Sequence, residues 1–146
     1  MRVARYLAAV IIGCALGWFG MPGFAQGGNT FKGRLSKVPV DAKMVPIIVG
    51  TGTASAQLAG TRVTISGTFE GMLTPATTAK LYESKMRGTR GPAIGDLTVS
   101  KAANGTISGS LNLTPTQVES LKAGKMYVQI DSDKGPEGHL WGWLLP

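Results

Sequence analysis

Residues 62–70 read Arg-Val-Thr-Ile-Ser-Gly-Thr-Phe-Glu, an order of side chains that is typical of a β-strand with one buried face. Val63, Ile65 and Phe69 alternate with polar residues. Because successive side chains of a strand point to opposite faces, these apolar residues share one face of a sheet. Gly60 lies just before the stretch and is a turn signal. We therefore predict that residues 62–70 form the second strand of an antiparallel hairpin.

Similar short runs, rich in Val, Ile, Thr and Phe and separated by Gly, Pro, Asn and Asp, continue along the chain and predict further strands. The predicted strands are 31–38, 53–58, 62–70, 78–83, 94–101, 105–113, 125–131 and 138–145. Pro39 and Pro46 would interrupt a hydrogen-bonded ladder, so 39–50 is predicted as a loop, with a short edge strand at 47–49 left open.

One helix is predicted near 114–123. Thr114 is a suitable N-cap, Pro115 suits the first helical position, and Gln117 completes a capping box. Gly124 follows as a helix terminator. With about eight antiparallel strands, this predicts an all-β domain, either an immunoglobulin-like sandwich or a partly open barrel.

The first residues are predicted to be a signal peptide. Arg2 and Arg5 supply positive charge, residues 6–19 are apolar and uncharged, and Gly23 and Ala25 place small residues before a cleavage site. The apolar run is shorter than the roughly 20 residues of a membrane-spanning helix. We expect cleavage after Ala25, no stable membrane span, and export to the periplasm or out of a bacterial cell. The predicted organisation is a signal peptide at 1–25, a flexible leader at 26–30 and a β-domain at 31–146.

Cys14 offers an alternative, because Ile11-Ile12-Gly13-Cys14 has the form of a lipid-attachment motif. The apolar residues at 15–19 follow it where a polar tether would be usual, so cleavage after Ala25 is favoured over lipid anchoring. Such cleavage removes the only cysteine, and with it any disulfide or thiolate chemistry.

The charge of the chain is basic but dispersed. The formal net charge of +7 falls by two, to +5, when Arg2 and Arg5 leave with the signal peptide. Export argues against nucleic acid as a partner. Anionic polysaccharides or lipid headgroups could meet a basic surface, although a solvated surface is the simpler interpretation.

Three segments together carry a family resemblance. Residues 71–76 read Gly-Met-Leu-Thr-Pro-Ala, residues 111–124 contain the predicted helix, and Tyr127-Val-Gln-Ile-Asp-Ser132 leads to Pro136-Glu-Gly-His-Leu-Trp-Gly142. In these segments, and across roughly 31–145, the chain resembles the CHRD domain, a module of the animal protein chordin and of many exported bacterial proteins.

The chain departs from that family at its polar positions. Many members have Ala-His-x-His in the central strand, where this chain has Ala79-Lys80-Leu81-Tyr82, and a later histidine position holds Asp131. The usual Glu and Arg positions hold His139 and Trp141. By strand alternation, Lys80 shares a face with Tyr82, Gln129 with Asp131, and His139 with Trp141. The resemblance implies that these three faces converge, and we further predict that Lys80 pairs with Asp131. The candidate polar face comprises Lys80, Tyr82, Gln129, Asp131 and His139.

Several chemistries find little support in the sequence. His139 is the only histidine, so a metal that needs several imidazoles lacks ligands, and we expect no metal and no cofactor. Serines lack the nucleophile-elbow pattern of a hydrolase. The acidic turn that contains Asp133 and Glu137 is interpreted as a solvated loop.

Trp141 and Trp143 allow two interpretations. They could form an aromatic platform for a sugar or a partner surface, or they could cover a sheet face beside Tyr127, which we favour.

Two functions remain open. The favoured one is an exported, non-enzymatic binding domain of the bacterial cell envelope, with an unidentified protein or an envelope glycan as partner. The alternative is an envelope enzyme or enzyme accessory with a cleft near Lys80, Tyr82, Asp131 and His139, where a shifted lysine or tyrosine pKa would serve acid–base chemistry.

Overall fold

The computed structural model describes residues 29–146, which form eight strands and one helix. The elements are β1 (Thr30–Lys37), β2 (Thr51–Ala59), β3 (Arg62–Glu70), β4 (Ala76–Glu83), β5 (Ala93–Val99), β6 (Gly105–Asn112), α1 (Pro115–Lys122), β7 (Met126–Ser132) and β8 (Leu140–Trp143). The predicted signal peptide and Cys14 lie outside the described residues, as does most of the predicted leader.

The strands form a closed antiparallel barrel in the order β1-β2-β3-β6-β5-β4-β7-β8. Strand β1 pairs with β2 through residues 30–35 and then with β8 through Ser36 and Lys37. The predicted sandwich is therefore wrong, and the barrel is closed rather than partly open. Closure leaves no unpaired sheet edge, which an open sheet of this size would expose.

Alternation along the strands places the core inside the barrel. In β3, Val63, Ile65 and Phe69 are buried while their polar neighbours are exposed, as the sequence predicts. Buried apolar side chains from every strand, together with Val118 and Leu121 of α1, form one hydrophobic cluster. An eight-stranded barrel is just wide enough for side chains to fill it.

The predicted helix is confirmed with its caps. The Gln117 amide N–H donates to Thr114 Oγ1 at 3.2 Å, and the Thr114 amide N–H donates to Gln117 Oε1 at 2.9 Å. Gly124 then adopts a φ of +71°, a left-handed conformation that favours glycine at a helix end. No helix within residues 29–146 has the length and hydropathy needed to cross a membrane.

The connection between β1 and β2 is a series of turns, without the edge strand left open at 47–49. Met44 accepts hydrogen bonds from the amides of Ile47 and Ile48, which curl the backbone away from an extended conformation. Ile48 is fully buried, so this loop packs against the barrel.

Candidate functional site

Strands β4, β7 and β8 carry a row of aromatic and polar side chains on the outside of the barrel. Across β4 and β7, Lys80 is opposite Gln129, Tyr82 is opposite Tyr127, and Thr78 is opposite Asp131. Across β7 and β8, Tyr127 is opposite Trp143 and Gln129 is opposite Trp141. Alternate residues of these strands point into the core, so this row shares the opposite surface. We call it the outer face, comprising Lys80, Tyr82, Tyr127, Gln129, Asp131, Trp141 and Trp143.

Four aromatic rings pack together on the outer face, with Tyr127 at their centre. The ring of Tyr82 stacks on Tyr127 with centroids 5.0 Å apart and planes 7° apart. Trp143 and Trp141 approach the same ring at 4.6 and 5.5 Å. Tyr127 is only 1% exposed, whereas the other three are half-buried. Trp141 and Trp143 thus cover Tyr127 and still retain exposed ring surface.

Asp131 is held by two neutral donors. Its Oδ1 accepts from Gln129 Nε2 at 2.9 Å, and its Oδ2 accepts from Thr78 Oγ1 at 3.0 Å. Lys80 instead pairs with Asp96 of β5, at 3.7 Å between Nζ and Oδ1. The predicted pair of Lys80 and Asp131 is therefore wrong, because the register places Thr78 rather than Lys80 opposite Asp131.

Gln129 has one buried atom without a partner. The residue is 3% exposed, and its Nε2 donates to Asp131 and, at 3.3 Å, to the carbonyl of Glu137. Both partners are acceptors, which fixes the orientation of the amide group. Its Oε1 then has no hydrogen-bond donor within residues 29–146.

His139 is fully buried, and its ring is hydrogen-bonded to the β1–β2 loop and to the end of β7 rather than to a residue of the outer face. Its Nε2 lies 2.7 Å from the Val49 carbonyl, and its Nδ1 lies 2.7 Å from Ser132 Oγ. Since a carbonyl only accepts, Nε2 carries the hydrogen and Nδ1 accepts from the serine hydroxyl. Burial lowers the pKa of His139 from its ordinary value of 6.5, and the hydrogen bond to Val49 opposes this only in part. His139 is thus a neutral structural residue.

Tyr82 is also held in its neutral form. Burial raises the pKa of its hydroxyl above the ordinary value of 10.0, and the neighbouring Asp131 carboxylate and Tyr127 raise it further. The guanidinium of Arg90 acts in the opposite direction but does not cancel these effects. A phenol with a raised pKa is a poor general base near neutral pH.

Two loops build a concavity of about 390 Å³ beside the aromatic rings. Tyr82, Tyr127 and Gln129 line it from the strands, and Arg90 and Glu137 line it from the β4–β5 and β7–β8 loops. An Nη1 hydrogen of Arg90 bonds to the Glu137 carbonyl and links the two loops. The sequence did not indicate Arg90, because a loop residue has no periodicity to reveal what it faces.

The titratable side chains that the structure describes do not combine into a metal centre. Within residues 29–146, His, Cys, Asp and Glu side chains form no group of three or more that could hold a metal ion. Both ring nitrogens of His139 are already hydrogen-bonded.

Comparison with known proteins matches the chain to one family model. A family model described as the CHRD domain matches residues 35–144, which include the last three residues of β1, every later strand and the whole outer face. No curated protein gives a match, and no solved structure does.

Proposed function

Since the chain belongs to the CHRD domain family, as the sequence resemblance indicated, we propose that it is an exported, non-enzymatic binding domain of the bacterial cell envelope that contacts its partner through the outer face. The observation that carries this proposal is the aromatic cluster around Tyr127. Its rings lie outside a barrel that already has a complete apolar core.

An aromatic cluster outside the core has a physical cost that a partner would offset. Tyr82, Trp141 and Trp143 keep part of their ring surface in water, although aromatic rings gain more than most side chains from burial. Large side chains of this kind dominate the energetics of binding surfaces. The outer face therefore has the composition expected of a contact surface.

The enzyme alternative has less support from the same residues. His139 is enclosed and hydrogen-bonded at both nitrogens, and Asp131 already accepts two hydrogen bonds. Tyr82 has a raised pKa and so remains protonated near neutral pH. Lys80 lies beside Asp96 rather than beside a second catalytic group. A binding role does not require any of these groups to exchange a proton.

Export is supported by the N-terminal pattern of Arg2, Arg5, the apolar run and Ala25. Mass spectrometry of the protein recovered from an expressing bacterium tests this directly. We expect a mature chain that begins at Gln26. An N-terminal lipid on Cys14 would show the alternative anchoring, and an intact Met1 in cytoplasmic protein would contradict export.

The binding role is tested by photo-crosslinking in the cell. A benzoylphenylalanine at position 82 replaces one aromatic ring of the outer face by another, and the same group at position 101 is the control on an exposed turn. We expect a discrete adduct from position 82 only. Equal adducts from both positions, or none from either, would contradict the assignment of the outer face as the contact surface.

A further inference from the structure

We propose that the concavity beside Tyr82 binds a neutral glycan, with one sugar ring against the tyrosine and its hydroxyls hydrogen-bonded to Gln129 and Arg90. This inference rests on the proposed binding function and names the chemical class of the ligand. It follows from three features of the residues that line this space. They are an acceptor without a partner on Gln129, a cationic side chain, Arg90, that can turn away from its present partner, and the aromatic ring of Tyr82.

The acceptor is Gln129 Oε1. The side chain is more than nine-tenths buried, lines the concavity, and leaves this oxygen without a donor among the described residues. Native proteins pair the great majority of buried polar atoms. The oxygen is itself closed to solvent, so a donor from outside the chain, whether a ligand hydroxyl or a solvent molecule, reaches it only when a neighbouring side chain of the concavity moves aside.

The cation is Arg90, whose side chain extends from the β4–β5 loop to the Glu137 carbonyl. That carbonyl also accepts from Gln129 Nε2 at 3.3 Å, so it keeps a donor when the guanidinium turns away. Arg90 is exposed and forms no ion pair within residues 29–146. Its movement also uncovers the space around Gln129, where the guanidinium can donate to ligand oxygens.

The aromatic wall is Tyr82. One face of its ring stacks on the buried Tyr127, which holds the ring in place where it lines the concavity. A pyranose ring has an apolar face of C–H groups that can pack on an aromatic ring, while its hydroxyls both donate and accept. That combination matches one unpaired acceptor, Gln129 Oε1, and the donor group that Arg90 offers when it turns away from the Glu137 carbonyl, both beside an aromatic side chain.

The size of the concavity favours a sugar over a protein segment, and its charges favour a neutral sugar over an acidic one. A volume of about 390 Å³ is at the small end of the range for ligand pockets, which suits one or two sugar units. The lining carries the opposite charges of Arg90 and Glu137, and Asp131 lies next to Gln129. An acidic sugar would be attracted by the Arg90 guanidinium but repelled by the neighbouring carboxylates of Glu137 and Asp131.

The test is a calorimetric titration of the processed protein with three tetrasaccharides: the N-acetylglucosamine tetramer, cellotetraose and tetragalacturonate. We expect saturable binding of at least one neutral tetramer. Tyr82→Leu should weaken it about tenfold, the loss of one stacked ring. Arg90→Ala should weaken it by about threefold or more, whereas Arg87→Ala, the same change in the same exposed loop, should leave it within about twofold.

Three results would overturn the inference: no heat of binding with either neutral tetramer, tighter binding of tetragalacturonate than of both, or equal weakening by Arg90→Ala and Arg87→Ala. Near-ultraviolet circular dichroism of each variant verifies that the aromatic cluster is folded. If no sugar binds while position 82 still crosslinks to a discrete partner, the glycan is wrong and the binding surface stands. If neither occurs, both proposals fail.

Discussion

His139 donates its Nε2 hydrogen to the carbonyl of Val49, 2.7 Å away and 90 residues earlier in the chain. The bond fastens the β1–β2 loop to the start of β8. On the other side of the ring, Nδ1 accepts from Ser132 Oγ, which itself accepts from the Gly135 amide. One neutral imidazole thus holds two connections at the same end of the barrel.

This arrangement makes stability depend on pH. Burial lowers the pKa of His139 in the folded state below the ordinary 6.5, so between these two values the unfolded chain binds more protons. The free energy of unfolding should therefore fall as pH drops below about 6.5 and level off below the folded-state pKa. Urea titrations at several pH values between 8 and 4.5 would measure this decrease.

His139→Gln is the control for that experiment. Because the chain has a single histidine, the variant should lose the part of the pH dependence that begins near 6.5 and retain the part due to carboxylates. It should also be less stable at pH 8, where the native imidazole is fully neutral. An unchanged slope between pH 7 and 5.5 would show that another group titrates there.

Asp131→Ala should destabilise the protein by about 1–3 kcal/mol, because Thr78 and the buried Gln129 amide lose their acceptor. Asp131→Asn keeps the shape and one acceptor oxygen, so its effect should be smaller. Chemical denaturation of both variants measures the difference. Equal losses would show that the negative charge, rather than the acceptor geometry, matters at this position.

Lys80→Met should change stability by no more than about 1 kcal/mol, since the side chains of Lys80 and Asp96 are 38% and 84% exposed and solvent screens the pair. Combined with Asp131→Ala, its effect should be additive, because the two residues make no ion pair. A coupling energy well above about 0.5 kcal/mol in this double-mutant cycle would restore the sequence-based pairing.

The strands and the helix were predictable because they depend on local patterns. Alternation in 62–70 and the capping residues Thr114 and Gln117 each specify an element within a few residues. Closure of the barrel was not predictable in this way. It depends on β1 leaving β2 and pairing with β8 through Ser36 and Lys37, and alternation along each strand is the same in a sandwich and in a barrel.

The candidate site shows the same division. Alternation correctly placed Lys80 with Tyr82 and Gln129 with Asp131 on strand faces that meet. Alternation along each strand does not determine the register between β4 and β7. The prediction that Lys80 pairs with Asp131 was wrong for this reason. Val49 and Arg90 reach their partners from irregular loops, where no periodic signal marks which way a residue faces.

The closure of the barrel can be tested at Gly33. A Cβ at this position would lie against the backbone carbonyl group of Trp143 in β8, closer than side-chain atoms come to a backbone oxygen. Gly33→Ala should therefore push β1 away from β8 and destabilise the protein by about 1–3 kcal/mol. Hydrogen exchange should locate the effect. The Lys32 and Leu145 amides, which bond each other's carbonyls at 2.8 and 2.9 Å, should exchange faster than those between β2 and β3.

Gly60→Asn is the matched control, because a Cβ there meets no atom within 4 Å and asparagine tolerates a positive φ. If Gly33→Ala left the exchange of Lys32 and Leu145 unchanged, β1 and β8 would not be held as closely as the closed barrel requires.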